Sequence, residues 1–68
     1  MSQNSKITPD ELRARRKSLG MTQSQFAEAA GVDRVTVARW ETGKREIDQL
    51  IRFALQVLEG EAAKKQKK

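Results

Sequence analysis

Cysteine, histidine and tyrosine are absent from this chain of 68 residues, and it holds one proline, one tryptophan and two phenylalanines. Without Cys or His there is no disulfide and no zinc site of the usual Cys/His kind. The common general bases and activated nucleophiles are missing too, and carboxylate or lysine chemistry needs a deep pocket that a few short helices rarely enclose. No enzyme, cofactor or metal site is therefore expected. Long apolar runs are also lacking: Met1-Ser2-Gln3-Asn4-Ser5-Lys6 is polar, and the stretch Ile47 to Leu58 is broken by Asp48, Arg52 and two Gln. Neither a signal peptide nor a membrane span is expected, which leaves a cytoplasmic protein.

A chain this short buries only about 60% of the surface its unfolded form exposes, and a single core then supplies roughly 3–5 kcal/mol. One domain is the ceiling. The 14 Lys plus Arg against 9 Asp plus Glu leave a net charge of +5, which favours a polyanionic partner without specifying one. The composition divides the chain into a polar arm (residues 1–6), a patterned centre (7–60) and a basic tail (61–68), the last being either a fraying helix end or disordered.

The centre reads as helix throughout, so the fold is expected to be all-α. Thr8-Pro9-Asp10-Glu11 forms a capping box that starts a first helix at Pro9, and Gly20 supplies its left-handed stop. Thr22-Gln23-Ser24-Gln25 repeats the box for a second helix, about 23–30, ended by Gly31. Asp33 is the expected N-cap of a third helix, about 34–42, closed by Gly43. A fourth runs about 47–59, with Ile47, Leu50, Ile51, Ala54 and Leu58 toward the core. Leu12, Leu19, Phe26, Ala27, Ala30 and Val37 complete the expected core, and Trp40 joins it with its indole N–H near the edge, where a phosphate contact is an open alternative.

Two short helices joined by a tight turn need a small residue in the first, a residue tolerant of positive φ in the turn, and an apolar anchor in the second. Ala27, Gly31 and Val37 fill those roles between the caps at Thr22 and Asp33. The segment Met21-Thr-Gln-Ser-Gln-Phe-Ala-Glu-Ala-Ala-Gly31, continued by Val32-Asp-Arg-Val-Thr-Val-Ala-Arg-Trp-Glu-Thr-Gly-Lys44, resembles the lambda-repressor and Cro type of helix-turn-helix domain, the XRE-like family. The resemblance covers Leu12 to about Leu58, places the helix-turn-helix at about 22–42, and implies a compact domain of four to five helices. It implies a DNA-binding transcription regulator, mostly a dimer on a palindromic operator, in a prokaryotic or phage setting near the nucleoid.

On that resemblance helix three enters the major groove, and its outward residues Arg34, Val35, Thr36 and Arg39 are the candidate base readers. Each Arg can present a bidentate fork to guanine, and Val35 or Thr36 can touch a thymine methyl; a phosphate contact is the alternative for either Arg. The resemblance places phosphate contacts at Thr22 and Gln23, where the amino terminus of helix two favours an anion, and at Thr42, Lys44 and Arg45. It also pairs Arg16 with Glu41 as a partly buried ion pair, with a phosphate contact from Arg16 as a further option. Successive residues on a helix point 100° apart, so Arg13, Arg15, Arg16 and Lys17 cannot all face DNA.

Helix four carries apolar residues beyond one core face: Phe53 and Val57 widen the stripe on one side and Leu55 on the other. Phe53 and Val57 are the candidate homodimer seam, unless the carboxy-terminal segment folds back over them. The best-known repressors of the family continue into an apolar fifth helix, whereas residues 60–68 offer two alanines and mostly Lys, and no small-molecule effector site is evident. Two other function classes compete: a protein-interaction module, such as an antitoxin or adaptor built on this fold, and a cationic membrane-surface helix, which the scattered basic residues disfavour.

Overall fold

The computed structural model describes residues 6–66, with side chains as far as residue 64, and contains four helices and no strand among them. They are α1 (Pro9–Ser18), α2 (Gln23–Ala30), α3 (Arg34–Thr42) and α4 (Ile51–Gln66). The polar arm, apart from Lys6, and the last two lysines of the tail lie outside the described residues.

The first three helices begin and end where their caps place them. Thr8 accepts from the Glu11 amide at 3.1 Å, but Glu11 does not complete the expected box; its carboxylate meets Arg15 at 3.3 Å instead. Thr22 and Gln25 make both halves of theirs, at 3.1 and 2.9 Å. Asp33 occupies the N-cap of α3 with extended backbone, yet its side chain makes no capping bond. Gly31 and Gly43 adopt φ of 78° and 79°, which lets the Val32 amide reach Ala27 O (2.9 Å) and the Lys44 amide reach Arg39 O (3.0 Å). A side chain at either position would strain this left-handed turn.

The last helix departs from expectation at both ends. Residues 45–48 are not helical: side-chain bonds, two of them local and one reaching Ile7 across the chain, compete for the backbone there. Asp48 Oδ1 accepts from the Leu50 amide (3.0 Å), while Gln49 donates to Ile47 O (3.2 Å) and accepts from the Ile7 amide (3.0 Å). The helix therefore starts at Ile51 and runs through Gly60 to Gln66. That delayed start changes which residues face inward. Leu50, expected in the core, is 68% exposed in the turn before the helix, and Leu55, expected on the outer edge of the stripe, is fully buried.

The core joins Ile7, Leu12, Phe26, Ala27, Val37, Trp40, Ile47, Ile51 and Leu55, with Leu19, Ala30, Ala54 and Leu58 partly buried against it. Leu55→Ala is expected to cost about 2–5 kcal/mol, enough to unfold much of so small a domain, whereas Leu50→Ala should leave the melting temperature near that of the parent. Thermal melts of the two variants, followed by circular dichroism, check this.

Candidate nucleic-acid interface

The interface is set by which way α3 is turned. Val37, Trp40 and Glu41 are buried, and at 100° per residue this directs Arg34, Val35, Ala38, Arg39 and Thr42 outward. Together with Lys44, those five residues line an open groove of about 260 Å³ along the helix. Val35 is 48% exposed, and Arg34, Arg39, Lys44 and Arg45 enter no salt bridge among the described residues. The groove is thus basic, unpaired and apolar at one point. Such a surface can hold a base edge, a methyl group and flanking phosphates together.

Two predicted contacts fall elsewhere. Thr36 is half-buried and Arg45 exposed, and both line a second open cleft, about 530 Å³, with Gly31, Val32, Asp33, Trp40, Glu46 and Asp48. Three carboxylates around Arg45 make that flank far less basic than the groove. Trp40 Nε1 is enclosed and makes no hydrogen bond among the described residues, so the indole does not present its N–H at the surface.

At the amino terminus of α2, the Thr22 hydroxyl oxygen accepts from the Gln25 amide, which leaves its own proton free to donate. Gln23 spends one N–H inward, on Glu41 Oε1 at 3.1 Å, and retains the other. The Thr42 hydroxyl donates back to Ala38 O at 3.0 Å, so its proton is engaged within α3.

The expected ion pair between Arg16 and Glu41 is present and bidentate, at 2.6 and 3.0 Å, and the two side chains are 10% and 3% exposed. Arg16 also donates to Met21 O at 2.8 Å, which closes the α1–α2 loop. Burial pushes the Glu41 carboxyl up. The hydrogen bonds from Arg16 and Gln23 and the charges of Arg16 and Arg13 outweigh it and hold the group below the ordinary carboxylate range.

Sequence reasoning missed three contacts in this network. One is the bond from Gln23 to Glu41. A second is Arg13 Nη2 donating to Glu41 O at 3.1 Å, at the open carbonyl end of α3. The third is the bidentate link from Arg15 to Glu59, at 2.8 and 2.7 Å, which ties α1 to α4. The hydrogen bond to Arg15 pulls the Glu59 carboxyl down. The available signal was angular: adjacent arginines on one helix must point to different neighbours.

Two packed helices joined at a left-handed glycine, the second presenting unpaired arginines along an open groove, define a helix-turn-helix DNA-binding domain. A family model described as Helix-turn-helix matches residues 12–51, and the chain belongs to that family, of the XRE and lambda-repressor-like type. Membership marks it as a DNA-binding regulator of that type. No curated protein matches the chain.

A carboxylate held low in the fold contributes stability that is complete above its unfolded value, near 4.5, and is lost as pH falls through the folded value. Stability is therefore expected to hold from neutral pH down to about 5 and to fall below it, with a smaller slope in Glu41→Gln. Arg16→Ala alone should cost about 3–5 kcal/mol by leaving Glu41 buried and unpaired, comparable to the whole stability of the domain, whereas Arg16→Met with Glu41→Leu should come close to the parent. Urea melts across pH check both expectations.

Proposed function

We propose that the domain is a sequence-specific, double-stranded-DNA-binding transcription regulator that reads the major groove with α3 and acts as a two-fold dimer on a palindromic operator. The observation that carries this reading is the groove joining Arg34, Val35, Arg39, Thr42 and Lys44 on one unpaired face of α3. In it Arg34 and Arg39 read guanine edges, Val35 meets a thymine methyl, and Thr36 serves at the edge of the same set. Thr22 and Gln23 at the amino terminus of α2, with Thr42 at the end of α3 and Lys44 and Arg45 beyond it, hold phosphates and fix register. Among the phosphate residues, the free protons of Thr22 and Gln23 and the unpaired Lys44 and Arg45 are the better supplied donors.

The dimer reading is supported by Phe53 and Val57, which are 61% and 60% exposed on a helix that continues to Gln66 without turning back over them. The same exposed pair also suits a different protein, as in an antitoxin or adaptor. Selection from a random duplex library at stated salt discriminates: a motif with half-sites about one helical turn apart supports the regulator, while no motif and a stoichiometric protein partner support the module.

Arg39→Ala is expected to cost about 1–3 kcal/mol on the selected sequence and to relax preference at one base pair, and Lys44→Ala to weaken all sequences alike and reduce the salt slope by about 1. Titrations of specific and scrambled duplexes at several salt concentrations check this. Equal losses on every sequence from Arg39→Ala would remove it from the base-reading set.

A further inference from the structure

Gly60 lies inside α4, six residues before its end at Gln66. A glycine weakens a helix interior relative to alanine, so its presence there needs a reason. The two usual intramolecular reasons fail. Gly60 is not among the positive-φ glycines, so it does not stop the helix, and a Cβ built on it would meet nothing within 4 Å, so it relieves no crowding inside the chain. Nor does the structure leave α4 loose on either side of it: Glu59 is gripped by Arg15 at 2.7 and 2.8 Å, and Ala62 is half-buried in a cleft it shares with Leu19 and Met21.

What distinguishes Gly60 is the line it stands on. Phe53, Val57, Gly60 and Lys64 follow one another at helical spacing, and all four are exposed. Leu50, also exposed, precedes this line in the turn before α4. An apolar line that ends on a gap, with a cation one turn beyond, is self-complementary when a second copy is laid across it in the opposite direction. The gap then receives a side chain, and the aromatic ring meets the cation.

We propose that two copies of the chain cross antiparallel on α4 between Val57 and Gly60, with Val57 of each seated over the partner's Gly60 and Phe53 of each against the stem and ammonium of the partner's Lys64. The absent Cβ lets the two backbones approach closely, and the Phe53–Lys64 contact adds a cation–π attraction. This rests on the two-fold reading above and assigns it a contact point. A second copy suits the face better than an unrelated protein because its projecting residue, gap, ring and cation all lie on one line.

The test sets two properties of one substitution against each other. Gly60→Ala is expected to raise the melting temperature by about 4–8 °C at low concentration, where the monomer dominates. The same substitution is expected to weaken the dimer about tenfold or more in analytical ultracentrifugation. Phe53→Glu should abolish the dimer. If Gly60→Ala dimerises as tightly as the parent, the crossing is overturned, and a dimer that Phe53→Glu still breaks leaves the two-fold reading standing. A parent protein that is monomeric both alone at high concentration and on its selected duplex overturns both.

Discussion

One carboxylate fixes the geometry of three helices. Glu41 of α3 takes two bonds from Arg16 of α1 and one from Gln23 of α2, and the same arginine holds the carbonyl of Met21 in the loop between them. Arg16 and Glu41 are the only buried charged residues among those described. The desolvation of such a pair offsets most of its attraction, so its net contribution to stability is modest beside that of the apolar core. What it supplies is orientation. With Glu41 bound inward, α3 cannot rotate about its axis, and the face carrying Arg34, Val35 and Arg39 is the one left to solvent. The candidate DNA-reading surface is in this sense the reverse side of a buried ion pair.

The positive charge acquires a division of labour in the folded chain. The three arginines of α1 are directed to three places: Arg13 to the carboxy-terminal end of α3, Arg15 to Glu59 on α4, and Arg16 to the interior. These cations brace the helices. The ones left without acidic partners near the reader are Arg34, Arg39, Lys44 and Arg45, and even there the charge is uneven, since Arg45 stands beside Asp33, Glu46 and Asp48. A polyanion approaching this surface meets its strongest attraction along the groove of α3 and a weaker one beside it.

The first three helices were legible because their boundaries are decided locally. A threonine three residues before a glutamine, or a glycine that alone tolerates a left-handed turn, acts through its neighbours in sequence. The start of α4 was not legible, because Gln49 bonds the amide of Ile7 across the chain, and no periodicity reports such a contact. That error moved Leu50 and Leu55 to the wrong sides. In the candidate site, the outward directions of Arg34, Val35 and Arg39 followed from helix geometry, while the inward turn of Gln23 depends on Glu41 of α3 and the half-burial of Thr36 on what the loop after α3 places beside it.

The exposed residues of α3 are held by nothing but their own backbone. Arg34 and Arg39 make no ion pair, Val35 lies half in water, and the helix that carries them is anchored from its other side and closed by Gly43. On the proposed base-reading roles, specificity and foldedness reside in different residues. On that reading, a lineage can exchange the proposed reading residues one at a time without passing through unfolded intermediates, and the scaffold is free to drift from one DNA sequence to another while its interior stays the same.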